Sequence, residues 1–75
     1  MNTIKEEQPL RDSRKQLVTV LEEEEQFFLA YHHRLPVGRE YEDVVDNAFD
    51  RLNRLLPLSY LEVADTYREM RRRYA

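Results

Sequence analysis

The segment LPLSYLEVADTYREM, residues 56–70, carries the clearest structural signal in the chain. Ser59 and Glu62 form a capping box, in which each side chain can satisfy a backbone amide that the start of a helix leaves free. Leu58 and Val63 flank this start and form the matching hydrophobic staple. The segment therefore predicts a helix that begins at Ser59.

Apolar side chains follow this start at spacings of three and four residues, which places them on one side of a helix. They are Tyr60, Val63, Tyr67, Met70 and Tyr74, with Leu61 and Ala64 beside them. The third helix is therefore predicted over about residues 59–74, and its solvent face should present Glu62, Asp65, Thr66 and Glu69.

The segment before Pro57 has the same periodicity. Its apolar stripe consists of Tyr41, Val44, Val45, Ala48, Phe49, Leu52, Leu55 and Leu56. Acidic residues crowd its first turn and arginines lie near its end, as the helix dipole favours. We predict a second helix over about residues 39–55, ended by the proline.

The first helix is predicted over about residues 13–33. Ser13 and Gln16 match the capping-box pattern, and Thr19 and Glu22 match it further along, so the pattern leaves two possible starts. At the other end Leu35 precedes a proline, which disfavours the helical conformation there. Its apolar seam is Leu10, Leu17, Leu21, Phe28, Tyr31 and Leu35. Residues 1–12 are polar and aperiodic, so a flexible tail is expected. The prediction is an all-α domain over residues 13–75: a small three-helix bundle, or a helical hairpin plus a long N-terminal helix.

Length and composition limit the function. A chain of 75 residues has a marginal core, and without cysteine it cannot use disulfides or thiolates, so association with itself or with a partner is expected. A net charge of -3 makes nucleic acid an unlikely partner, because non-specific binding depends on neutralising phosphates. The N-terminus has no apolar run, which predicts neither a signal peptide nor a membrane span, and hence a cytoplasmic protein.

Catalytic and metal sites are not indicated. His32 and His33 are adjacent, so on a helix they point about 100° apart and are poorly placed to chelate one ion. Their predicted place is the end of the first helix, where positive charge is favoured. A single glycine cannot build a phosphate loop. We expect no enzyme activity, catalytic residue, cofactor, metal or small-molecule substrate.

The run FFLAY, residues 27–31, surrounds the first helix with apolar side chains, although one neighbour needs only one stripe. Phe28 is assigned to the core. The predicted partner-binding residues are Glu23, Phe27, Leu29, Tyr31 and Leu35.

The adjacent run Glu22–Glu25 has two interpretations. Glu24 falls on the apolar seam, so that part of the helix is frayed or exposed; alternatively, the run is an acidic band that docks on a basic partner.

These patterns favour a small non-enzymatic regulatory protein that binds another protein. It would be an adaptor, inhibitor or antiactivator that occludes a partner such as a transcription regulator. The alternative is nucleic-acid binding by Arg71, Arg72 and Arg73, although acids occupy the helix start that would meet the groove. A third possibility is a self-associating structural subunit.

Overall fold

The computed structural model describes the backbone of residues 2–74 and the side chains of residues 13–73. It contains three helices: α1 (Asn2–His32), α2 (Glu40–Leu52) and α3 (Tyr60–Tyr74). No strand occurs within residues 2–74. Each helix contacts both others, so the chain is a three-helix bundle, and the all-α prediction is confirmed.

The start of α1 differs from the prediction. The helix begins at Asn2, so Ser13 lies inside it and the capping-box pattern there does not mark a helix start. The side chains of residues 1–12, including Leu10 of the predicted seam, lie outside the described part of the chain. The flexible tail over residues 1–12 therefore stays a prediction.

The start of α3 agrees with the prediction. The hydroxyl oxygen of Ser59 accepts the backbone N–H of Glu62 at 3.1 Å, which is the N-cap half of the capping box. Val63 is completely buried, and Leu58 packs partly buried against the same core. The cap and the staple therefore fix where α3 begins and which side of it faces inward.

The core lies along the axis where the three helices meet. Its buried apolar residues are Leu17, Leu21 and Phe28 from α1, Val44, Val45, Ala48 and Leu52 from α2, and Val63, Tyr67 and Met70 from α3. Fully burying a Val, Leu, Phe or Met side chain typically contributes about 1.5–3 kcal/mol to the stability of the fold. The assignment of Phe28 to the core is confirmed.

Six side chains lie elsewhere than their periodicity predicted. Leu35 and Tyr60 belong to predicted stripes, and each is 38% exposed. Leu55 is exposed because α2 ends at Leu52 and the chain then tightens into a turn, in which the Leu55 N–H donates to the Leu52 carbonyl at 2.9 Å. Leu61 and Tyr31 are exposed at the edges of their stripes. Thr66 is buried, and its hydroxyl donates to the carbonyl of Glu62 at 2.8 Å, which satisfies it without water.

The end of α1 is set by His33. Its backbone is in the left-handed region, with φ at 61°, and its N–H donates to the Leu29 carbonyl at 2.7 Å. This bond is the αL capping motif, which more commonly uses glycine. The histidines therefore lie at the helix terminus, as predicted, and the chain turns there towards α2.

Candidate protein-binding surface

Two of the glutamates in the run Glu22–Glu25 are buried. Glu24 and Glu25 are only 9% and 8% exposed. Arg51 of α2 donates to the carboxylates of Glu24 at 2.9 Å and Glu23 at 2.7 Å. Both interpretations of the run are therefore wrong for Glu24: it is neither at an exposed part of the helix nor free to dock on a partner.

Glu25 joins α1 to α3. Its carboxylate accepts the hydroxyl of Tyr67 at 2.8 Å, and a guanidinium nitrogen of Arg71 lies 3.5 Å from the same oxygen. Burial, together with the bond to Glu25, raises the pKa of Tyr67 well above its usual range. The hydroxyl therefore remains a donor at any ordinary pH.

Arg71 belongs to this internal network. Its Nε donates to the Tyr41 hydroxyl at 3.2 Å, and its guanidinium carbon lies 5.4 Å from the centre of the Tyr41 ring. The neighbouring Arg72 and Arg73 are exposed and form ion pairs with no residue of the 13–73 segment. The three arginines of the nucleic-acid alternative thus do not form one surface.

Two ion pairs bracket the outer side of the seam between α1 and α2. At one end Arg51 bonds Glu23, and at the other both terminal nitrogens of Arg34 donate to the two Glu40 oxygens at 2.6 Å. Glu40 and Arg51 are about three turns apart on α2 and so lie on the same side of that helix. The two pairs therefore mark the ends of a single stretch of surface.

Helical spacing from Glu23 and from Glu40 places four residues between these ion pairs, Phe27, Tyr31, Asp43 and Asn47, and we call them the seam surface. Phe27 and Tyr31 are one turn apart on α1, and Asp43 and Asn47 are one turn apart on α2. Phe27 is 64% exposed and Tyr31 is 81% exposed. Two large aromatic side chains are thus presented to solvent on adjacent turns of one rigid helix.

The other two apolar residues of the predicted partner-binding set lie elsewhere. Leu29 follows Phe27 by two residues, which places it about 160° around the helix, and it is half-buried. Leu35 is 38% exposed and lines a cleft between α1 and α3 together with Gln26 and Arg71. The structure therefore brings Glu23, Phe27 and Tyr31 together and separates Leu29 and Leu35 from them.

His32 is the last residue of α1, and its ring packs against two aromatic neighbours on that helix. Its ring centre lies 4.1 Å from that of Phe28 and 5.0 Å from that of Tyr31. Residues 13–73 contain no group of three or more His, Asp or Glu side chains arranged to hold a metal ion. The position of His32 is accounted for by its aromatic contacts.

Comparison with protein-family models, curated proteins and solved structures finds no match for this chain. Within the described part, the apolar stretch that a membrane-crossing helix requires is missing from all three helices.

Proposed function

We propose that this chain is a small non-enzymatic regulatory protein that binds another protein through the seam surface. The observation that carries the proposal is the exposure of Phe27 and Tyr31 beside a well-formed core. Phe28, between them in sequence, is only 8% exposed, so the helix has a clear inward side and these two rings lie outside it. Aromatic side chains held in this way are typical anchors of protein interfaces.

The proposed mechanism is occlusion. Covering an exposed aromatic ring of this size contributes about 1.5–3 kcal/mol. Because α1 is already ordered by its core contacts, little further conformational entropy is lost on binding. An adaptor, inhibitor or antiactivator of this kind would cover a functional surface of its partner, such as the DNA-binding or dimerisation surface of a transcription regulator. The proposed place of action is the cytoplasm, which the absence of cysteine fits.

The structure offers less support for nucleic-acid binding. Arg71 is engaged with Tyr41, and Glu69 lines the same surface cleft as Arg72 and Arg73. A carboxylate beside the remaining arginines opposes phosphate binding. In a gel-shift assay we expect no nucleic-acid binding that weakens steeply with salt. A steep salt dependence that Arg72→Ala abolishes would favour the alternative instead.

The decisive experiment compares Phe27→Ala with two controls. Phe27→Ala should leave the melting temperature nearly unchanged, since the ring is largely in water, while capture of a specific partner from cells of the native host is lost. Leu61→Ala truncates a similarly exposed apolar side chain on α3 and should retain the partner. Phe28→Ala should instead lower the stability by about 3–5 kcal/mol, as core phenylalanines do.

Equal capture by the wild type and Phe27→Ala would contradict the proposal. Unfolding of Phe27→Ala would assign the ring to the core.

A further inference from the structure

The charges around the seam surface are unevenly satisfied. The arginines that bracket it, Arg34 and Arg51, are both already held by carboxylates of this chain. Asp43, in contrast, is exposed and forms an ion pair with no residue among those described. The aromatic rings therefore lie beside a carboxylate whose charge is still available to a partner.

Further carboxylates on α2 add to this excess of unpaired negative charge. Glu42 and Asp46, one turn apart on the side of α2 nearer α3, are exposed and are paired with no cation in the described chain, so they add negative charge near the seam surface without belonging to it. Asp46 accepts the Tyr60 hydroxyl at 2.6 Å, a bond that leaves its negative charge in place. Two nearby cations have no ion pair among the described residues: Arg39, just before α2, and Lys15, which lines a cleft with Glu23 and Arg51. The three carboxylates outweigh them.

Building on the proposed function, we infer that the partner presents a basic amphipathic surface, with an apolar side chain that covers Phe27 and Tyr31 and lysines or arginines that pair with Asp43 and its neighbours. An acidic surface would be repelled by these carboxylates. It would also have to displace Glu40 to reach Arg34, or Glu23 to reach Arg51. Opposite charge at the edge of an apolar contact mainly accelerates association and selects the partner.

The same charges disfavour a second copy of this chain as the occupant. In a two-fold symmetric dimer the same patch is used by both subunits. Pairing the seam surface with itself would bring the Asp43 side of one α2 towards the Asp43 side of the other, and like charges in an interface are unfavourable. The observations therefore favour a different protein of opposite charge.

Two synthetic peptides test this inference on the full chain. One is an amphipathic helix with a leucine stripe flanked by lysines, and the other carries glutamate at each lysine position. Binding is measured by calorimetry, and the contact is mapped by NMR on the isotope-labelled chain. The lysine peptide should bind at least about 10-fold more tightly at low ionic strength, and it should shift the amide signals of Phe27 and Tyr31.

Three substitutions separate the contributions. Phe27→Ala should weaken binding of the lysine peptide by about 10-fold or more, as truncating an interface anchor does. Asp43→Asn should weaken it by about 3-fold at low ionic strength and by less at high, because salt screens exposed charges. Glu22→Gln removes the same charge from the opposite side of α1 and should leave the affinity unchanged. If Phe27→Ala did not fold, Tyr31→Ala would replace it, because that side chain is 81% exposed.

The contrary outcomes distinguish the charge of the partner from the location of the binding surface. Equal binding of both peptides that remains sensitive to Phe27→Ala would overturn the basic partner and leave the seam surface standing. Binding that is insensitive to both Phe27→Ala and Tyr31→Ala would overturn the seam surface itself. Failure of the lysine peptide to bind at low ionic strength would overturn the basic partner. Dimerisation of the chain alone, lost in Phe27→Ala, would identify the occupant as a second copy.

Discussion

The hydroxyl of Tyr67 donates to the carboxylate of Glu25 at 2.8 Å within the bundle, and it ties the last helix to the first. Tyr67 is completely buried and Glu25 is 8% exposed, so neither group can exchange this bond for one to bulk water. Tyr41 packs beside them, with its ring centre 5.5 Å from that of Tyr67. A short chain without disulfides thus joins two helices through one buried polar contact.

Replacing Tyr67 by phenylalanine tests how much this bond contributes. The ring keeps its packing, but the Glu25 carboxylate loses its closest donor and keeps Arg71 at 3.5 Å. We expect a destabilisation of about 1–3 kcal/mol, the usual cost of leaving a buried charged acceptor short of a partner. Chemical denaturation of the wild type and the variant measures it.

Glu25→Gln is the matched control for that experiment, because an amide oxygen can still accept the Tyr67 hydroxyl. If the destabilisation comes from leaving the charged carboxylate short of a donor, Tyr67→Phe should lower the free energy of unfolding by less in the Glu25→Gln background than in the wild type. Equal losses of stability in both backgrounds would show that the charge of the Glu25 carboxylate is not what makes the missing hydroxyl costly.

The buried glutamates show why the site could be only partly predicted. The helical pattern placed Glu24 on the apolar seam, and that placement agrees with the structure. Its partner, Arg51, lies on another helix, and at the level of sequence it is simply a basic residue near a helix end. Which carboxylate pairs with which arginine depends on how the helices pack, and the order of residues does not contain that information.

The exposed aromatics had a weaker signal. Apolar periodicity placed Phe27 off the main seam, and it is exposed, while Tyr31 was placed on the seam and is 81% exposed. Tyr31 lies only about 60° around the helix from the buried Phe28, and that difference decides between core and surface. It is smaller than the angle of about 100° between consecutive residues, so apolar periodicity does not resolve it. Local signals such as the Ser59 cap were predictable because both of their partners lie within one turn.

That cap gives the second prediction. Ser59→Ala removes the oxygen that accepts the Glu62 N–H, and it should destabilise the chain by about 1 kcal/mol. Ser59→Asp keeps an acceptor at the N-cap and should retain most of the stability. Thermal unfolding of both variants checks this, and an Ala variant as stable as the Asp variant would show that the cap does not matter here.

The third prediction concerns the left-handed residue at the end of α1. His33 has a φ of 61°, a conformation that costs a residue with a side chain about 1 kcal/mol relative to glycine. His33→Gly should therefore stabilise the chain by about 0.5 kcal/mol, after the greater freedom of glycine in the unfolded chain is subtracted.

His32→Gly provides the contrast. It removes the ring that packs 4.1 Å from Phe28 and weakens the last helical turn, so it should destabilise. A loss of stability in His33→Gly similar to that in His32→Gly would show that the His33 side chain stabilises the fold in a way that its backbone conformation does not explain.

The last prediction follows from the ion pair at the Tyr31 end of the seam surface. Two hydrogen bonds from Arg34 and one from the backbone N–H of Val37, at 3.0 Å, lower the pKa of Glu40 to about 2 from its ordinary value of 4.5. Folding therefore favours the charged carboxylate. Its contribution is present above about pH 4.5 and is lost as the pH falls through about 2.

Melting temperatures measured from pH 6 down to about pH 2 should show this loss in the wild type. Glu40→Gln should have a lower melting temperature than the wild type at neutral pH. Its melting temperature should fall less on acidification, because the amide does not titrate in this range. Glu42→Gln is the matched control: Glu42 is exposed on α2 and forms an ion pair with no residue in the 13–73 segment, so its removal should leave the acid loss unchanged. An acid profile of Glu40→Gln that parallels the wild type would mean that other carboxylates, and not this bracket of the seam surface, determine the acid stability of the fold.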